Sequence, residues 1–177
     1  MILTITGDLG SGKSTVAKLV SKELKLNYYS TGQMFRKLAV DMQVSFKELN
    51  DLAKKDKRID KRIDDYQKKL GKTENDFILE GRLGFHFIPK SIKICLRVEP
   101  KEAARRIMTD NRSDEKFKTL KEAEESIKSR ARIEKQRYEA LYKINIDDDK
   151  NYDLIIDTTK IPATEVAKKI IKYAKET

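Results

Sequence analysis

The sequence predicts an α/β fold, doubly wound around a parallel sheet, and three observations predict it. Short apolar runs recur along the chain at Ile2 to Thr6, Phe77 to Leu79 and Ile92 to Val98, with a fourth at Tyr152 to Ile156. They are continuous rather than alternating, which suits strands covered on both faces. Helical patterns separate them, and strand–helix alternation gives right-handed crossovers around one sheet. The third observation is the glycine-rich segment between the first run and the first helical pattern, Gly7-Asp8-Leu9-Gly10-Ser11-Gly12-Lys13-Ser14.

Taken in order, Lys13 to Leu24 places Val16, Leu19, Val20 and Leu24 at helical spacing. Leu26 to Ser30 offers a short fifth strand, so the expected architecture is a five-stranded parallel sheet flanked by helices. Pro100 fits the first position of a helix running through Met108. Leu120 to Leu141 is long, charged and helical in pattern, and Pro162 opens a last helix through Tyr173, with Val166, Ile170 and Tyr173 on one face. Two stretches exceed a minimal alternation, residues 32–70 and 111–145. They are expected as short insertions on a single-domain core made of residues 1–31, 71–110 and 146–177. Each lies next to the carboxyl end of a strand, where open α/β sheets bind ligands. That makes the first a candidate substrate clamp and the second a candidate lid.

At 177 residues, 38% of them hydrophobic, the chain has the usual size of one domain. No apolar run approaches the roughly 20 residues of a membrane helix. The chain begins MILTITG and enters the glycine-rich loop at once, so no signal peptide is expected and the compartment read from it is the cytoplasm. Cys95 is the only cysteine, which excludes a disulfide framework and a cysteine-rich zinc site. The formal net charge is +10. The lysines are scattered and often sit beside acids, as in KKDKRIDKRIDDYQKK, without interleaved aromatics. A solvated surface, or basic groups gathered around polyanionic substrates, explains this better than nucleic acid as the primary partner. The charge still speeds the encounter with anions.

The loop satisfies G-x-x-x-x-G-K-[ST], the P-loop, after a predicted strand and before a predicted helix. Two glycines, a lysine and a hydroxyl at this spacing arise by accident in only about one chain in a hundred. Glycines let backbone N–H groups wrap phosphates, and the helix N-terminus adds its positive end. Lys13 is expected to reach the β- and γ-phosphates of ATP, and Ser14 to offer its hydroxyl to Mg²⁺. Gly7, Asp8, Leu9, Gly10, Ser11, Gly12, Lys13, Ser14 and Thr15 form the expected ATP-binding set, with Asp8 pointing outward because a carboxylate is unwelcome beside phosphates. The loop names no acceptor.

The acceptor is approached through a resemblance. Ser30-Thr31-Gly32-Gln33-Met34-Phe35-Arg36 resembles the segment that opens the acceptor-binding insertion of P-loop nucleoside monophosphate kinases. Glu80-Gly81-Arg82, followed by LGFHFIPKSIKICLRVEPKEAARR, resembles cytidylate kinases, and the short insertion VSFKELNDLAKKDKRIDKRID looks most like the archaeal type. The resemblance covers nearly the whole chain, through YDLIIDTTKI. It implies a P-loop NTPase fold with short monophosphate-binding and lid insertions. It implies transfer of the ATP γ-phosphate to CMP or dCMP, with Mg²⁺ as cofactor and a monomer as the working unit. It implies that Arg36 clamps the monophosphate, a task for a planar fork rather than a point charge. Ser30 and Gly32 would line the acceptor site and Arg82 would contact acceptor base and phosphate. Glu80 would stand near the metal through water. Of Arg105 and Arg106 one should face inward; Arg106 is taken for the acceptor. In Ser129-Arg130-Ala131-Arg132-Ile133-Glu134-Lys135-Gln136-Arg137-Tyr138, Arg130, Glu134 and Arg137 share a helix face. The resemblance gathers Arg130 and Arg137 around the transferred phosphate, as catalytic groups beside Lys13, and sets Glu134 on the acceptor ribose. Arg112 would open the lid. Other acceptors (AMP, UMP, shikimate, dephospho-coenzyme A) and a non-catalytic NTP-binding regulator associated with RNA stay open at this point. His86, Asp147-Asp148-Asp149, Phe85 and Phe87 read as loop, turn and packing residues.

Overall fold

The computed structural model describes residues 1–110 and 117–177; Arg112 lies outside them. Strands β1 (Ile2–Gly7), β2 (Asn27–Ser30), β3 (Phe77–Glu80), β4 (Ile92–Arg97) and β5 (Leu154–Asp157) form one sheet in the order β2-β3-β1-β4-β5, every pairing parallel. The central β1 is buried along its whole length, which is why its sequence is not alternating. Its register aligns Ile5 with Glu80 on β3 and Gly7 with Leu96 on β4. The carboxyl ends of the three inner strands therefore finish side by side, and the functional loops leave from that edge.

Helix α1 (Lys13–Leu24) packs Val16 and Val20 against Leu3, Ile5, Ile94 and Leu96, with Val166 and Ile170 of α8 (Ala163–Glu176) beside them. The opposite face is covered by Leu70 and Ile88 over Phe77 and Leu79. Between β2 and β3 the chain forms three helices with no strand, α2 (Thr31–Asp41), α3 (Phe46–Lys55) and α4 (Lys57–Thr73). Ser45 and Glu48 form a capping box that starts α3, and Asp56 caps α4. These helices bury Leu38, Ala39, Leu49, Ala53 and Ile59 in a cluster of their own. Similarly α6 (Pro100–Thr109) and α7 (Leu120–Tyr142) enclose Val98, Ala103, Ala104, Ala123 and Ile127. Residues 32–70 and 117–145 are thus largely helical, and each packs on a small core separate from the sheet's.

The sequence missed one element, α5 (Gly84–Phe87), a single turn too short to show a helical period. The segment at Tyr152 also differs from expectation. It follows a 3-10 turn at Asp149–Asn151, and the strand begins two residues later at Leu154. Among the described residues no helix is long and apolar enough to cross a membrane.

Candidate active site

The loop leaves β1 through Gly7 at φ 142°, where an added Cβ would lie 2.0 Å from the Leu96 carbonyl oxygen. Only glycine passes so close to β4. Gly12, at φ 83°, is the N-cap of α1, and nothing lies within 4 Å of where its Cβ would be. Among the described residues no side chain caps α1. Its first N–H groups therefore face open space at the positive end of the helix, the makings of an anion site.

Lys13 folds back over this loop, its Nζ donating to the carbonyls of Gly7 at 2.9 Å and Asp8 at 2.5 Å. Desolvation, with Arg82 adding to it, brings the ammonium down to about 8 despite Glu80, Glu134 and Asp8 nearby. Asp8 does not point outward. Its carboxylate accepts from the Val98 N–H at 3.0 Å and its own N–H donates to Leu96 at 2.9 Å. Both groups are thus tied to the β4 edge, so Asp8 braces the loop and offers phosphate no donor. Ser14 Oγ donates to Glu80 Oε1 at 3.1 Å, and the Tyr28 hydroxyl donates to Glu80 Oε2 at 2.8 Å. A hydroxyl and one carboxylate at the mouth of a phosphate cradle are oxygen ligands of the kind that hold Mg²⁺, which keeps several waters and shares itself with substrate phosphates. The residues present fit that ion.

Two cavities open at this edge, of about 760 and 970 Å³. The larger is walled by the P-loop, Ser14, Glu80, Arg36 and Arg106. The smaller lies between α2–α4 and α7 and is walled by Phe35, Asp60, Asp64, Gln67, Glu134 and Arg137, among others. They share Thr31, Gly32, Phe46, Arg82 and Arg130. The Gly-Arg pair has a geometric reason. A Cβ on Gly81 would meet Thr31 Oγ1 at 2.4 Å, so only glycine lets β3 end against the start of α2. Arg82 then donates to the Gly7 carbonyl and pairs with Glu134 Oε2 at 2.9 Å. The approach is close but its N–H direction is poor, so among the described residues Glu134 Oε2 is buried without an aligned donor.

The other sequence candidates lie as follows. Arg36 stands with its guanidinium over the Phe46 ring, 5.4 Å from the centroid. Ser30 spends its hydroxyl oxygen capping α2, accepting from Gln33 N–H at 3.4 Å, and lines the larger cavity. Of the adjacent arginines, Arg106 faces inward and Arg105 stays on the surface. Arg106 does not reach the smaller cavity. It donates to Gly10 and to the carbonyls of Thr158 and Thr159, on the P-loop side, because α6 packs against the loop at Gly10. Arg137 is engaged by Asp60 of α4 rather than aimed at the P-loop. His86 lies outside both cavities, its ring against Phe87 at 4.8 Å. Asp147 pairs with Lys135, Asp148 caps the 3-10 turn and Asp149 pairs with Arg97, so the acidic run is a surface turn. Sequence reasoning missed Tyr28, Asp60, Asp64, Gln67 and Tyr142. The last four couple α4, α5 and α7 or line the space between them. The visible signal was the spacing of Asp60, Asp64 and Gln67 along one face of α4.

A phosphate cradle whose open side runs into a second, arginine-lined cavity has room for two phosphorylated molecules at once, the design of a P-loop kinase. The family model described as cytidylate kinase-like matches residues 2–160. The cytidylate kinase of Methanothrix thermoacetophila is 39% identical over 158 residues, covering 89% of this chain and 88% of that one. An S-adenosylmethionine-dependent nucleotide dehydratase of Lacinutrix mariniflava is 33% identical over 97% of this chain, which spans only 35% of that relative's length. The shikimate kinase of Bacteroides thetaiotaomicron superposes with a TM-score of 0.69 at 11% identity, covering 99% of this chain and 98% of that one. That likeness speaks for the fold alone. The chain belongs to the cytidylate kinase-like family, and it is a kinase.

Proposed function

We propose that the enzyme transfers the γ-phosphate of ATP to CMP or dCMP, giving ADP and the diphosphate. The observation that carries this reading is the junction of the two cavities, where Arg82 and Arg130 reach both. ATP phosphates bind the N–H groups of the loop, with Lys13 leaving the Gly7 and Asp8 carbonyls for the β- and γ-oxygens. Arg106 steadies the loop from the donor side. The acceptor phosphate sits at the junction, held by Arg36, with Arg82 and Arg130 neutralising charge as it develops. An acceptor phosphate oxygen forms the new bond to the γ-phosphorus while the bond to the β-phosphate oxygen breaks. Ser14 and Glu80 would hold Mg²⁺, which would supply charge neutralisation across the donor phosphates. Residues 32–70 act as the acceptor clamp and 111–145 as a lid that keeps water from the γ-phosphate. Both cavities belong to one chain, so a monomer suffices, and the cytoplasm supplies both nucleotides.

A coupled ADP-release assay with CMP, dCMP, UMP, AMP and GMP tests the proposal. CMP and dCMP are expected to be turned over well above ATP hydrolysis. Turnover of none would sink the acceptor reading. Arg36→Ala should raise KM for CMP about tenfold to a hundredfold, the worth of charge-assisted hydrogen bonds, while KM for ATP changes little. Unaltered KM for CMP would remove Arg36 from the clamp.

Lys13 adds a pH signature. ATP favours the ammonium form, so binding takes up a proton wherever free Lys13 is neutral. Affinity for ATP should be level below pH 8 and fall above it, by up to about tenfold per pH unit. Calorimetry in two buffers of different ionisation enthalpy would show the proton uptake at pH 9 and its absence at pH 6.5.

A further inference from the structure

We propose that Gln67 reads the base of the acceptor nucleotide, its carboxamide pairing with the adjacent donor and acceptor on the edge of cytosine. This rests on the acceptor reading above and extends it to a residue that neither motif nor resemblance singled out.

The inner face of α4 carries Asp60, Asp64 and Gln67, and all three line the smaller cavity. Asp60 is engaged by Arg137, and Asp64 accepts from the Tyr142 hydroxyl at 2.7 Å. Gln67 differs from both. It is only 2% exposed, yet its Oε1 is buried with no hydrogen-bond partner among the described residues. More than about nine in ten buried polar groups are paired, so an orphan in a cavity wall points to a group that arrives with the ligand. Gln67 lines the smaller cavity alone and is absent from the shared wall where the phosphates meet. With the acceptor phosphate at the junction, the far end of the cavity receives the base, and Gln67 belongs to that end.

The chemistry is specific. A carboxamide presents an acceptor and a donor in one plane. Cytosine presents the amino N4 beside the ring acceptor N3, so the two groups pair through two hydrogen bonds. Glutamine uses the same geometry on adenine in nucleic-acid readout. A carboxamide alone can turn over and serve uracil as well. Asp64, one turn away on the same face, offers acceptors only. It favours an amino group on the base and opposes the O4 of uracil. The pair therefore selects an amino pyrimidine.

The test compares the wild type with Gln67→Leu and Gln67→Glu, using CMP and UMP as acceptors and ATP as the internal control. Leucine is close in volume and removes the orphan oxygen, so Gln67→Leu should keep or raise Tm; a structural role requires the opposite. Its KM for CMP should rise about tenfold to a hundredfold, as for one lost bidentate base contact, with KM for ATP held and the preference for CMP over UMP reduced. Gln67→Glu keeps an acceptor for N4 and loses the donor to N3, so its loss should be smaller. CMP turnover in the wild type with unaltered KM and base preference in both variants overturns this inference alone. A fall in Tm of Gln67→Leu with base preference intact in Gln67→Glu overturns it too. A wild type that phosphorylates no monophosphate overturns the acceptor reading and this inference together.

Discussion

Lys13→Met should lower kcat by about a hundredfold to a thousandfold, the usual consequence of removing one preorganised charge from a transition state. It should do so without unfolding the protein. In the structure the ammonium lies against two carbonyls of its own loop, and desolvation holds its pKa at about 8 against 10.5 for a free lysine. The sign of the linkage follows. Between those values the unfolded chain binds the proton and the native one releases it, so stability rises with pH across this window. Below pH 8 the charged side chain lowers native stability by about 3 kcal/mol. Methionine removes that penalty and leaves the Gly7 and Asp8 carbonyls without one donor, an offsetting loss of about 1–3 kcal/mol. Tm at pH 7 should therefore hold or rise, and its increase between pH 8 and 10.5 should vanish in the variant. Thermal melts over pH 6.5–10.5, run beside initial rates, check both. A kcat within about threefold of wild type would mean that Lys13 does not reach the transferred phosphate.

How far the sequence reached depends on where each feature is encoded. The strands and the P-loop are local. Continuous apolar runs mark buried parallel strands, and the cradle is eight consecutive residues whose glycines answer to fixed backbone angles. The strand readings met the structure within one residue at each end, except at Tyr152, where a turn displaced the start of a strand by two. Three site features are not local. Asp8 carries the charge that suggested exposure, but its partner is a backbone N–H ninety residues away at Val98. Arg105 and Arg106 are equivalent in sequence, and only the packing of α6 at Gly10 decides between them. The Asp60, Asp64 and Gln67 stripe looks like any charged helix face until α7 is laid across it, pairing two members and leaving the third.

Breaking the Arg82–Glu134 pair from either side should damage folding and turnover together, whereas replacing both residues should restore folding alone. The two side chains are 18% and 26% exposed, and they join the β3 end to α7. Glu134→Leu leaves a guanidinium beside Lys13 with its countercharge gone. Arg82→Met leaves a carboxylate in the same enclosure. Each should lose about 2–3 kcal/mol, below the ~3–5 of fully buried pairs because water reaches both groups. For a chain of this size that is a fall in Tm of about 5–10 °C. Arg82→Met/Glu134→Leu removes both charges and should recover most of it, since apolar replacement of an ion pair is often neutral or better. Turnover should not return, because the junction has lost one of its two guanidinium groups and Arg130 alone is left there, and kcat should stay at least about a hundredfold down. A double-mutant cycle on Tm and kcat separates the two roles. If the double variant is as unstable as Arg82→Met, the pair is not what holds α7 to the sheet edge. If it regains turnover, Arg82 does not act on the phosphates. Arg82 at once donates to the Gly7 carbonyl and ion-pairs with Glu134. A phosphate entering between the cavities must therefore compete for the guanidinium that fixes α7, and the position of that helix becomes linked to acceptor occupancy through one cation.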